Sequence, residues 1–147
     1  MKAVILRVAK ASLSIPNETK ESISIGRGLV IFVGIDKKDN DATLEDFAEK
    51  VTNLRIFDDE NGKLDFSLKD KNYEILCVPN FTLCANINKG RRPSFENVMP
   101  QDAARKLFEN LIILLGARGL SVKSGKFGKT MVINTECIGP VNLVVEI

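Results

Sequence analysis

Leu29-Val30-Ile31-Phe32-Val33-Gly34-Ile35 is the stretch on which the fold turns. A strand with one wet face alternates apolar and polar residues. This run does not alternate and is rich in β-branched residues, so it reads as a central strand covered on both faces. Upstream, residues 2–8 and 11–15 are apolar and strand-like, with a break expected around Lys10. Pro16-Asn17-Glu18 reads as a turn, Ser22-Ile23-Ser24-Ile25 alternates, and Gly26-Arg27-Gly28 turns the chain into the central run. Downstream, Asp39-Asn40-Asp41 offers helix caps. Leu44, Phe47, Val51 and Leu54 then recur at spacings of 3, 4 and 3, one face of a helix.

Asn61-Gly62 signals a tight turn, and Glu74 to Val78 is a second short buried strand. Pro79 should end it or sit at a bulge or edge, since proline cannot donate to a ladder. Phe81-Thr82-Leu83-Cys84 is expected to resume extended structure. Pro100-Gln101-Asp102 opens a second helix carrying Leu107, Leu111 and Leu114, with Gly116 and Gly119 expected to stop it. Ser121 to Ser124 is a short strand. Thr130 to Asn134 and Val141 to Ile147 read as strands on either side of a Gly139-Pro140 turn. The order predicts one α+β domain over residues 1–147, with a mainly antiparallel, barrel-like sheet and two main helices. Strict βαβ alternation, a G-x-G-x-x-G fingerprint and a P-loop are all missing.

Composition narrows the chemistry. The 147 residues contain no histidine. That removes the Ser-His-Asp triad, the Cys-His pair, histidine general bases and histidine metal ligands together. Asp58-Asp59-Glu60 ahead of Asn61-Gly62 looks like a turn, not a paired acid and base. Cys77, Cys84 and Cys137 show no C-x-x-C spacing and read as thiols, not zinc ligands or disulfides. A nucleophilic cysteine has nothing nearby in sequence to lower its pKa. The net charge is only +2. Lys89-Gly90-Arg91-Arg92 is a compact basic cluster, and Lys123, Lys126 and Lys129 form a looser one; alone, each reads as a solvated loop. No apolar run approaches the roughly 20 residues of a membrane span, and the first residues do not form a signal peptide, so a cytosolic protein is expected, with no membrane partner.

Several segments stand out together: Pro79-Asn80-Phe81-Thr82-Leu83, Lys89 to Phe95, Gly139-Pro140-Val141, Arg7 in the opening strand, and Leu54-Arg55-Ile56-Phe57. In this order, and across essentially the whole chain, they resemble the D-aminoacyl-tRNA deacylase family. The resemblance implies a homodimer with its sites at the subunit interface, acting on aminoacyl-tRNA without a cofactor or metal. The family's Ser-Gln-Phe-Thr-Leu signature corresponds to Pro79-Asn80-Phe81-Thr82-Leu83. Its Gly-cisPro motif, which reaches into the partner's site and screens amino-acid configuration, corresponds to Gly139 and Pro140, with Arg7 holding it in place. Phe127, Gly128 and Met131 match the segment lining the pocket for the terminal adenosine.

Elementary chemistry fits these implications. An aminoacyl ester is already activated, so its hydrolysis needs a placed water and a stabilised oxyanion, not a strong enzyme nucleophile. Backbone N–H groups can supply that stabilisation, each worth about 3–4 kcal/mol. Those of Phe81 and Thr82 are the candidates, beside Asn80, and the ribose 2′-hydroxyl can assist proton movement. A covalent role for Thr82 would require a base, and none is visible. A glycine wall would exclude an L side chain by clash, while achiral glycine would pass. Lys89, Arg91 and Arg92, with the later lysines, become phosphate contacts. The chain departs from the family at Pro79 for serine, Asn80 for glutamine, Asn142 for threonine, and Cys137-Ile138 for Asn-Asp. These changes leave open a non-catalytic tRNA-binding dimer and a deacylase of relaxed chirality acting on L-alanyl-tRNA. An editing module working beside a synthetase is weakened by the lack of a synthetase domain.

Overall fold

A computed structural model describes residues 1–16, 22–88 and 90–147. The turn expected at Pro16-Asn17-Glu18 and the position of Lys89 therefore lie largely or wholly outside the described residues.

The sheet is organised around its first strand. β1 (Lys2–Ser14) is flanked on one edge by β2 (Ile23–Ile25) and β3 (Gly28–Gly34), both antiparallel to it. β1 does not break at Lys10; it runs through, with irregular register between Leu6 and Lys10 on its other edge. The helix α1 (Asp41–Asn53) follows, capped reciprocally: the Asn40 carboxamide oxygen accepts from Ala42 and Thr43 N–H groups, and Thr43 Oγ1 accepts from Asn40 N–H. A small hairpin of β4 (Phe57–Asp58) and β5 (Leu64–Phe66) turns at Asn61-Gly62, where Gly62 takes φ +76°. A short α2 (Leu68–Lys71) leads to β6 (Glu74–Pro79), which lies parallel to β3. α3 (Gln101–Ala117) starts after Pro100 and crosses to β7 (Ser121–Ser124), parallel to β6. The helix runs through Gly116 and stops before Gly119, which supplies φ +84°.

β3 shows why the central run lacks alternation. Leu29, Ile31 and Val33 face a core shared with Leu44, Phe47 and Val51 of α1 and Phe108, Leu111 and Leu115 of α3. Val30, between them, faces a second core with Val8, Leu13, Leu76 and Val78. β6 splits likewise, Ile75 and Cys77 to the helices and Leu76 and Val78 to the other side. Each fully buried Leu or Ile contributes about 1.5–3 kcal/mol, so both faces must be apolar. The sheet curls towards closure: Lys123 Nζ of β7 donates to the Ser24 carbonyl of β2 at 2.6 Å and pairs with Glu74 at 3.1 Å. Lys123 is thus an exposed brace between strands.

The C-terminal residues correct the expected hairpin. β8 (Val132–Glu146) is one long strand antiparallel to β1, with Ser14 opposite Val132 and Lys2 opposite Glu146. Gly139-Pro140 does not reverse the chain. Leu6 pairs with Asn142 and Val8 with Cys137, so Ile138 to Val141 bulge out opposite Arg7 alone. Turn-forming residues can also build a bulge when strand pairing resumes beyond them.

Candidate functional site

Pro79 ends β6, and the chain then turns abruptly. Asn80 N–H still donates to Val33 O at 2.7 Å. Phe81–Cys84 then forms a single 3₁₀ turn instead of the expected extended segment. Two features override the strand preference of these residues. Asn80 Oδ1 accepts from Thr82 N–H at 3.3 Å and from Thr82 Oγ1 at 2.5 Å, an N-cap geometry. Gly34 lets the turn settle on the end of β3: a Cβ there would lie 2.9 Å from Cys84 Sγ and from Leu83 Cβ. The Phe81 N–H, at the head of the turn, meets no acceptor among the described residues.

A cavity of about 380 Å³ opens beside this turn. Pro79, Asn80 and Phe81 form one wall, Val33 and Ile35 the floor, and Phe127 with Gly128 the far side. Its size and apolar lining with a few polar groups suit a small organic moiety. Met131 does not belong to it: that side chain packs on the second core, and its sulfur fills the space beside Gly125. Met99 and Gln101 do line it, and nothing in their local sequence marks them. They arrive because Met99 N–H donates to Ile35 O and α3 starts there.

The basic loop is joined to the site through aromatic rings. Asn86 and Ser94 exchange backbone hydrogen bonds at 2.8 and 2.9 Å, closing the loop that carries Arg91 and Arg92. Phe95 then packs against Phe81 with ring centroids 5.3 Å apart. Phe81 is 55% exposed, a large apolar surface for a side chain at a cavity mouth. Arg91 and Arg92 are exposed and stand outside the cavity lining.

Arg7 is buried and holds the bulge of β8. Its Nε donates to Ile138 O at 3.2 Å, and its Nη1 donates to Ile56 O at 2.9 Å and pairs with Asp58 at 3.0 Å. The carbonyl of Ile56 gives the Leu54–Phe57 segment its purpose. The Gly139–Pro140 peptide is cis, and Gly139 takes φ +131°. Within one chain the bulge and the Phe81 turn are apart. Pro79 pairs with Val33, Val33 with Ala3, and Arg7 lies four residues further along β1, with β8 beyond it. At about 3.3 Å per residue and 4.8 Å per strand, the separation is roughly 15–20 Å across the sheet.

The other reactive groups are quiet. Burial pushes the Cys77 thiol up to about 12, and burial followed by the charges of Asp36 and Asp39 raises Cys84. Neither is a thiolate nucleophile. Asp59 accepts backbone N–H bonds from Lys63 and Asn61, which hold its carboxyl below the usual range in a plain turn. Among the described residues no group of three or more histidine, cysteine or acidic side chains could hold a metal, and no helix is long and apolar enough to cross a membrane. In thiol labelling at neutral pH, Cys77 should react only at the rate of unfolding, while exposed Cys137 reacts from the native state. Mass mapping checks this, and fast modification of Cys77 would contradict its burial.

Comparison with known proteins decides the family. A profile described as D-Tyr-tRNA(Tyr) deacylase matches residues 4–146. The D-aminoacyl-tRNA deacylase of Thermodesulfovibrio yellowstonii is 43% identical over 146 residues, covering 99% of both chains. The chain belongs to the D-Tyr-tRNA(Tyr) deacylase family. Another of these deacylases, from Thermotoga petrophila, is 40% identical over 99% of this chain and 97% of its own length. Among solved structures, the c-Myc DNA unwinding element binding protein superposes with a TM-score of 0.90 at 39% identity, covering 99% and 98% of the two chains. A probable eukaryotic D-amino acid tRNA deacylase shares the fold, with a TM-score of 0.88 at 17% identity over 99% and 98%. The deacylase family's chemistry is hydrolysis of a carboxylic ester, which matches a site without an evident side-chain nucleophile.

Proposed function

We propose that this chain hydrolyses the ester joining a D-amino acid to the 3′ end of a transfer RNA, in the cytoplasm and as a homodimer. The observation that carries the reading is the open N–H of Phe81 on a turn clamped by Asn80 and Gly34, beside a cavity of about 380 Å³. The terminal adenosine occupies the cavity between Phe81 and Phe127. The ester carbonyl then lies at the head of the turn, where Phe81 N–H stabilises the oxyanion. Thr82 N–H, held only at 3.3 Å by Asn80, turns to assist. Water attacks, aided by the ribose 2′-hydroxyl, and the ester oxygen leaves with the RNA. The hydroxyl of Thr82 is committed to Asn80, which favours a structural role over nucleophilic attack.

Chiral selection comes from the second subunit. The bulge at Gly139-Pro140 is too far from its own chain's turn, so it serves the neighbour's site, steadied by Arg7. A wall of main chain at Gly139 excludes an L side chain by clash, and glycyl-tRNA passes because it has no side chain to exclude. Arg91 and Arg92, with Lys89, contact phosphates and give salt-dependent affinity without sequence preference.

Deacylation of D-tyrosyl-, L-tyrosyl-, L-alanyl- and glycyl-tRNA by the purified chain tests this reading. Turnover of the D and glycyl esters alone is expected. L-alanyl turnover would assign relaxed chirality, and binding without turnover would make the chain a non-catalytic tRNA-binding dimer. Thr82→Val should keep activity within about a few-fold, because the backbone N–H remains; a trapped acyl-enzyme in the parent chain would refute the water mechanism.

A further inference from the structure

Phe127 lines two cavities. Beyond the one beside Phe81, a larger open groove of about 570 Å³ runs between the outer face of α3 and residues 124–129. Its floor is apolar, formed by Phe108, Ile112 and Phe127, with Ile113 at 70% exposure on the helix face. Its rim is charged, with Arg105 from the helix and Lys126 and Lys129 from the loop, against one acid, Glu109. Arg105, Glu109, Ile112 and Ile113 share the face because they recur at helical spacing.

We infer that this groove receives the single-stranded nucleotides directly preceding the aminoacylated one, the CC of the CCA end common to transfer RNAs; the inference rests on the proposed function. Three observations converge. The groove and the first cavity share Phe127 as a wall, and Ala104 of the one neighbours Arg105 of the other on α3, so a strand whose last nucleoside sits beside Phe81 can leave past that ring. Cations on a rim above an apolar floor are how proteins hold a single strand, backbone on the charges and bases on the platform. Glu109 adds an acceptor for an exocyclic amine, the group cytosine presents on its pairing edge.

The test compares three substrates of increasing length: D-tyrosyl-adenosine, the D-tyrosyl-CCA trinucleotide and D-tyrosyl-tRNA. The parent chain should show a lower KM for the trinucleotide than for the adenosine ester. Arg105→Glu and Ile113→Glu, both at exposed positions, should each abolish that preference, raising KM for the trinucleotide and the tRNA about tenfold, on the order of one lost nucleotide contact. Equal KM values for the two short esters in the parent chain, or variants that keep the preference, would overturn the inference. So would variants that turn a dimer into monomers in sedimentation, which would make the groove a contact between copies. Failure of the parent chain on all three substrates would instead refute the proposed function.

Discussion

Gly139→Ala should lower kcat/KM on D-tyrosyl-tRNA by about a hundredfold, the scale of an ångström-sized misplacement of a positioning element. A Cβ at this position would lie 2.5 Å from Val141 N and 2.9 Å from Val141 Cγ2, and its φ of +131° is one that L residues rarely adopt. The bulge must therefore shift, and the wall it offers shifts with it. Arg7 anchors the Ile138 carbonyl next to it, so the displacement cannot be absorbed by sliding β8 along β1. A companion experiment asks which subunit the wall serves. Gly34→Ala, which drives the Phe81 turn off β3, should be inactive on its own for a different reason. Mixed and refolded with Gly139→Ala chains, it should regain about a quarter of parental activity: half of the dimers are mixed, and each mixed dimer holds one intact composite site of two. No recovery on mixing would place the wall and the turn in the same subunit, against the proposed arrangement.

Gly28→Ala should be strongly destabilising. A Cβ on Gly28 would lie 1.9 Å from Glu74 O and under 3 Å from Glu74 C and N. All three are backbone atoms, so no rotamer change relieves the clash. Relief requires opening the pairing between Gly28 and Glu74 at the start of the β3–β6 ladder, with Val30 and Ile75 packed just beyond it. A loss of about 3 kcal/mol or more is expected, beyond ordinary overpacking. For a chain of this size that corresponds to a Tm lower by about 10 °C. Thermal or urea unfolding followed by circular dichroism measures it, and a Tm within a degree or two of the parent would show that β3 and β6 are not in van der Waals contact there.

These two glycines show what can be read from a sequence and what cannot. The two-faced burial of residues 29–35 is visible because every second side chain must be apolar on each face. The α1 face and its Asn40 cap are equally plain, since their determinants lie within a few residues of one another. The resemblance brought Phe81, Phe127, Gly128, Arg7 and the bulge into one argument. The errors arose where distant contacts rule local preference. Phe81 to Cys84 favours a strand by residue type, yet Gly34, far away in sequence, provides the bed on which a 3₁₀ turn rests. Gly139-Pro140 has the composition of a reverse turn, and only the pairing of both arms with β1 reveals a bulge. Lys123 shares a stretch with Lys126 and Lys129, and its contacts with Glu74 and Ser24 could not be read from that stretch. Met131 stands next to the cavity segment in sequence, yet its side chain packs on the second core and is not part of the cavity lining.

The bulge opposite Arg7 carries one more consequence. Both arms of β8 are pinned to β1 by their own pairs, from Lys2 to Leu6 and again from Val8 onward. Residues 138–141 sit outside that ladder, so their number and identity can change without slipping either arm's inside-outside alternation. The fold thereby separates a locally shaped tip, set by Arg7 and Gly139, from a frame whose register is set by strand pairing alone.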